Sequence, residues 1–128
     1  MDHPELFEPD DPFVERMRAI CLRFPEAVEV SAWGRPTFRA GKKVFALAGS
    51  GLARPYSLVF KPDQDEARAF HEDPRFFVPK YWGASGWLGI DIDPAAPDSV
   101  WKEVAELIET SYRQVALKRQ LAVLDEVM

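Results

Sequence analysis

The sequence predicts an α+β domain, an antiparallel β-sheet with helices packed on one face, and three observations carry that expectation. Leu88, Ile90 and Ile92 alternate with Trp87, Gly89 and Asp91, the period-two pattern of a strand with one face in a core. Residues 27–61 form a succession of short alternating segments separated by glycine-containing turns. Apolar residues at helical spacing flank these strands on both sides. With 128 residues, 47% hydrophobic and 29% charged, the chain is expected to be a single domain over 1–128.

Taken in order, residues 1–11 read as a frayed lead-in. Asp11 followed by Pro12 is a helix start, because Pro needs no N–H at the first helical position. Phe13, Met17, Ile20, Cys21 and Phe24 then make an apolar stripe that Pro25 ends. A strand follows over 27–33, with Val28 and Val30 on one side. Residues 37–39 and 43–48 form a hairpin about Ala40-Gly41-Lys42, with Phe45 and Leu47 sharing a face. Gly49-Ser50-Gly51 reads as a flexible link. The strand over 56–61 sets Leu58 and Phe60 against Ser57, Val59 and Lys61.

Pro62-Asp63 opens a second helix with Ala67 and Phe70 inward, ending by Asp73-Pro74. Gly83 and Gly86 bracket a turn ahead of the strand over 88–92, and the aromatics beside it suggest a rigid tip that touches something. Asp98 caps a third helix with the stripe Trp101, Val104, Ala105, Leu107 and Ile108. Ser111 and Gln114 have capping-box spacing, which predicts a break near Tyr112 and a fourth helix on Val115, Leu121 and Leu124. The expected core is Phe38, Phe45, Phe60, Leu88, Ile90, Trp101, Val104 and Ile108.

The sequence also excludes chemistry. No apolar run approaches the ~20 residues of a membrane helix, and the acidic N-terminal stretch is unlike a signal peptide, so a cytoplasmic location is expected. Cys21 is the only cysteine and sits inside a helical stripe, as an inert packed thiol would. His3 and His71 are the only histidines, too far apart to suggest a metal site, and Asp91 with Asp93 reads as a solvated strand end. Gly83-Ala84-Ser85-Gly86 lacks the spacing of a nucleophile elbow, and no phosphate-binding loop or dinucleotide fingerprint is present. The expectation is a non-catalytic protein with no cofactor and no metal.

Charge is unevenly distributed. The whole chain carries a formal net charge of −5, yet residues 33–87 hold nine Lys and Arg against five Asp and Glu. A basic middle between acidic ends fits a polarised surface, and it also fits strands collecting Lys and Arg while helices collect Glu. Strand parity sets Arg39, Lys61 and Trp87 opposite the core residues Phe38, Phe60 and Leu88. Basic side chains interleaved with an aromatic suit nucleic acid, the cations neutralising phosphates and the ring stacking on a base. Equally, Trp87 can seal a second small core under the 49–55 loop with Trp33 and Trp82 beside it.

Three segments carry a resemblance: Trp33-Gly34-Arg35-Pro36-Thr37-Phe38-Arg39-Ala40-Gly41-Lys42-Lys43-Val44-Phe45-Ala46, then Tyr81-Trp82-Gly83-Ala84-Ser85-Gly86-Trp87-Leu88-Gly89-Ile90, and 109–119. In this order the chain resembles the MmcQ/YjbR-like family of small bacterial proteins. The resemblance implies a frataxin-like (CyaY-like) arrangement and a DNA-binding role in which two β-rich projections act as wings. Leu117 stands where members often carry proline, which predicts a last helix that runs further here. Two functions follow as expectations. The first is weak, non-specific DNA binding by a monomer through Arg35, Arg39, Lys42, Lys43, Lys80 and Trp87. The alternative is a small-ligand or protein-interaction domain whose cleft is lined by Trp33, Trp82 and Trp87.

Overall fold

The computed structural model describes residues 4–127. Six antiparallel strands form one sheet: β1 (Ala27–Ala32), β2 (Arg35–Ala40), β3 (Lys43–Ala48), β4 (Ser57–Phe60), β5 (Phe76–Phe77) and β6 (Leu88–Asp91). Their spatial order is β1-β2-β3-β4-β6-β5. Helices α1 (Pro12–Cys21), α2 (Ala67–Glu72), α3 (Asp98–Val115) and α4 (Lys118–Val127) complete the α+β fold. All eight expected core residues are buried, and they belong to one cluster between the sheet and the helices.

Helix α1 starts as its sequence dictates. The Asp11 carboxylate accepts the Phe13 N–H at 2.8 Å, and Pro12 occupies the first turn. The helix ends at Cys21, before Pro25, yet Phe24 stays in the core by stacking on Tyr112 at 4.8 Å. Burial pushes the Cys21 thiol well up, so it is a packed apolar group.

Expectations about strand faces and helix ends are corrected by packing. Phe45 and Leu47 do not share a face, because the β2–β3 register shifts between Phe38 and Arg39 and leaves Phe45 as an extra residue on β3. Phe45 therefore joins Ala46 in the helix-side core, while Leu47 faces the other way. Ser111 Oγ donates a hydrogen bond to the bulged Phe45 carbonyl at 2.6 Å and accepts the Lys61 N–H at 2.8 Å. Ser111 is thus engaged by the sheet and unavailable as a cap, and α3 runs unbroken to Val115.

The break falls later, at Ala116-Leu117, where Gln120 reaches back to accept the Leu117 N–H at 2.8 Å. The last helix accordingly restarts at Lys118 and does not run on through Leu117. Asp98 is the first residue of α3, with Pro97 as its cap. The second helix begins only at Ala67, Asp63 making a local turn by accepting the Asp65 N–H.

The lead-in is not frayed over the residues described. Leu6 donates its N–H to the Gly34 carbonyl at 2.8 Å, and Phe7 stacks on Phe13 at 5.7 Å. The 49–51 link is ordered as well: Gly49 N–H bonds Ser57 O at 2.7 Å and Ser50 N–H bonds Arg54 O at 2.9 Å. Gly49 has φ +89°, and a Cβ there would lie 2.9 Å from Leu6 Cδ1, so only glycine lets the lead-in lie down on this loop.

Candidate functional site

The face of the sheet away from α1 and α3 carries a second set of packed side chains. Strand parity sends Leu47, Val59, Trp87 and Gly89 to this side. Leu47, Val59 and Trp87 make a second, smaller core, flanked by Val44 and Trp82. Trp87 is only 6% exposed, so its ring is not offered to a base and the core alternative for it holds. The Phe77 ring lies on Gly89, where any Cβ would come within 2.3 Å of Phe77 Cζ, and the Arg54 guanidinium lies over that ring at 4.1 Å.

From this small core a line of indoles climbs to the surface. Trp82 meets Trp87 edge-on at 4.8 Å, and Trp33 meets Trp82 edge-on at 5.9 Å, with Trp33 48% exposed. Trp33 and Trp82 form the inner wall of a half-open cleft of about 890 Å³. Leu6, the 50–54 loop and residues 77–82 form its other sides. Trp87 lies behind Trp82 and is not among the lining residues, so it supports the cleft without facing it. The turn between Gly83 and Gly86, expected as a rigid tip, is a 3₁₀ turn over Trp82–Ser85 with Gly83 laid against Val78.

Tyr81 stands at the rim with φ +66° and ψ −56°, while the Trp82 N–H closes back on the Lys80 carbonyl at 2.7 Å. That is a γ-turn of the rare, strained hand, in a residue with a bulky side chain. It holds the Tyr81 ring 93% exposed. Leu52 and Val78, also on the cleft, are 75% and 61% exposed. Large apolar groups gathered in one concave place mark a contact surface more than singly scattered ones do.

The cleft's charged groups are all cations: Arg35, Arg54 and Lys80, with no Asp, Glu, His or Cys among the lining residues described. Arg54 is paired with Asp91. Arg35 is half-buried, donates from Nη1 to the Gly49 carbonyl, and has no carboxylate partner among the described residues. Burial lowers its pKa, the sign of a charge held away from water.

The remaining predicted nucleic-acid residues lie elsewhere. Arg35 opens β2 and Lys42-Lys43 follow its far end, so at ~3.3 Å per residue about 20 Å of strand separates them. Lys42 and Lys43 are exposed, and Arg39 donates from Nε to Thr37 Oγ1 at 3.2 Å. The hairpin tip is docked: Gly41 N–H bonds the Glu26 carbonyl at 3.0 Å, and Gln120 from α4 lies beside it. Arg119 pairs with Glu26 and holds its carboxyl below the usual range. The fold thus brings Arg35 and Lys80 together with Trp33 and Trp82, and it sets Arg39, Lys42 and Lys43 apart.

Sequence reading missed Arg54, Phe77, Val78 and Tyr81 as cleft residues. Phe77 belongs to a two-residue strand, β5, which is too short to leave a period. His71 lies on α2, away from the cleft, and His3 is outside the described residues. No group of three metal-ligating side chains exists among the described residues, and no helix is long and apolar enough to cross a membrane.

Comparison with known proteins places this architecture. No curated protein matches the chain. A solved structure, Deinococcus radiodurans protein DR2400, described as carrying a DUF419 domain, is similar with a TM-score of 0.64 at 20% identity, covering 84% of this chain and 82% of that one. At that identity the likeness speaks for the fold. The YjbR family model matches residues 22–114, from the end of α1 through most of α3, so the segments bearing the indole line and the bulged hairpin lie within it: the chain belongs to the YjbR family.

Proposed function

We propose that the protein is a non-catalytic binding module whose working surface is the tryptophan-walled cleft. One observation carries this reading: exposed apolar side chains converge on a concave site of about 890 Å³, within the size range of small-molecule pockets. The lining residues described offer no acid, histidine or cysteine to move a proton or attack a substrate, which favours binding over catalysis. The DNA-binding reading that the family resemblance implied draws its support from Lys42 and Lys43, exposed at the hairpin end. It is weakened by the ~20 Å of strand between them and Arg35.

Two titrations on the same protein separate the readings. The first uses N-phenyl-1-naphthylamine, an uncharged fluorescent probe of apolar sites. It is expected to saturate at one site, to bind equally at 50 and 200 mM salt, and to be lost in Val78→Asp. The second follows fluorescence anisotropy of labelled single- and double-stranded DNA. Binding to DNA that falls steeply with salt and weakens in Lys42→Ala/Lys43→Ala, with no saturable probe site, would replace the cleft by the hairpin end as the functional surface.

A further inference from the structure

The charge inside the cleft narrows what it can hold. A guanidinium withdrawn from water costs free energy unless an anion or several acceptors surround it. Arg35 has one acceptor, the Gly49 carbonyl, and no carboxylate within ion-pair distance among the described residues. Its carbonyl bond fixes the guanidinium at the cleft wall and leaves its other N–H groups without a described partner. The chain as a whole is acidic, at −5, whereas every charged lining residue described is basic. Lys80, on the opposite side segment, has no ion-pair partner among the described residues either, and it is exposed. Arg54 is a lesser contributor, because Asp91 already neutralises it.

Beside these cations the walls are flat and apolar. Trp33 and Trp82 present indole surface, and Tyr81 holds a ring at the rim on its strained turn. A planar ring gains stacking or edge contacts there that a branched aliphatic group does not. Resting on the cleft as the binding site, we infer that its ligand is a small planar organic anion, an aromatic ring carrying a carboxylate, sulfonate or phosphate. Its ring lies against Trp33 and Trp82, and its acidic group serves as the counter-ion that Arg35 lacks among the described residues. Arg35 is favoured over Lys80 as the main anion contact. Its planar fork matches an oxyanion in two bonds and is already oriented by Gly49, whereas the Lys80 ammonium is free to rotate in water.

The test compares two probes that differ in one acidic group: 1-anilinonaphthalene-8-sulfonate, and N-phenyl-1-naphthylamine, the same ring system without the sulfonate. Both are titrated by fluorescence against the wild-type chain, Arg35→Lys, Lys80→Gln and, as a remote control, Lys102→Gln. The wild type should bind the sulfonate roughly tenfold or more tightly than the neutral probe, the gain expected of a charge-assisted hydrogen bond in a partly desolvated site. Arg35→Lys and Lys80→Gln should erode that ratio, Arg35→Lys the more, with little effect on the neutral probe, and Lys102→Gln should leave both affinities unchanged. Should Arg35→Lys fail to fold, the wild-type ratio and Lys80→Gln still decide. Equal wild-type affinities, or a preference for the neutral probe, would overturn the anion while leaving the cleft standing. Failure of both probes would remove the cleft itself.

Discussion

The two faces of the sheet solve different problems with the same strands. On the helix side Phe38, Phe45, Phe60, Leu88 and Ile108 are shut into one core by α1, α3 and α4. On the other side no helix contributes to the packing among the described residues. Leu47, Val59 and Trp87 have Val44 and Trp82, the latter from a 3₁₀ turn, packed against them, and the Phe77 ring lies beside them on Gly89. Beyond them Val28 and Val30 on β1 stay 44% and 38% exposed. A face covered by helices is finished by the fold, whereas a face covered by loops retains a concave edge where apolar surface meets water. Alternation along a strand reports that two faces exist and says nothing about what covers each.

Mutations on the two sides sharpen that contrast. The largest loss is expected from Phe60→Ala on the helix side, about 3–5 kcal/mol in chemical denaturation, through lost transfer energy and the cavity left behind. Trp87→Ala on the other side should cost about 3 kcal/mol, at the low end of that range because a thinner layer surrounds it. A cost near zero for Trp87→Ala would mean that the outer cluster is not a core at all.

Ser111→Ala probes how the bulged β3 is held to α3. It leaves the Phe45 carbonyl and the Lys61 N–H without their hydroxyl, and about 1–3 kcal/mol should be lost. Loss of a few tenths would place the anchoring of the bulge elsewhere. Trp33→Ala should be nearly silent in denaturation, within about 0.5 kcal/mol, as for a surface position, yet it should abolish saturable binding of N-phenyl-1-naphthylamine. Unfolding in Trp33→Ala would make that indole structural.

The smallest effect is electrostatic. Arg119 lowers the pKa of Glu26 by hydrogen bonding, with Gln120 adding to it. A carboxyl depressed in the folded state adds stability above its unfolded pKa, and that stability is lost as pH falls through the folded value. Glu26→Gln should therefore flatten the acid limb of a melting-temperature profile slightly and change nothing near neutrality beyond its constant offset. An unchanged acid limb would show that the exposed pair is screened.

The α+β class, the faces of β4 and β6, the start of α1 and the helical stripe of α3 are legible along the chain, because they depend on periodicity and on local caps. The sequence also pointed to Trp33, Trp82 and Trp87 as belonging together. That Trp87 is buried while Trp33 is half in water follows from packing alone, since both lie beside glycines in similar local patterns. Only packing could reveal the bulge at Phe45, because one extra residue changes which face every later side chain meets and leaves no composition to read. The same holds for the cleft. Its charged lining is split among β2, the 50–54 loop and the 77–82 segment, and it is the fold that leaves Arg35 without a counter-ion among the described residues.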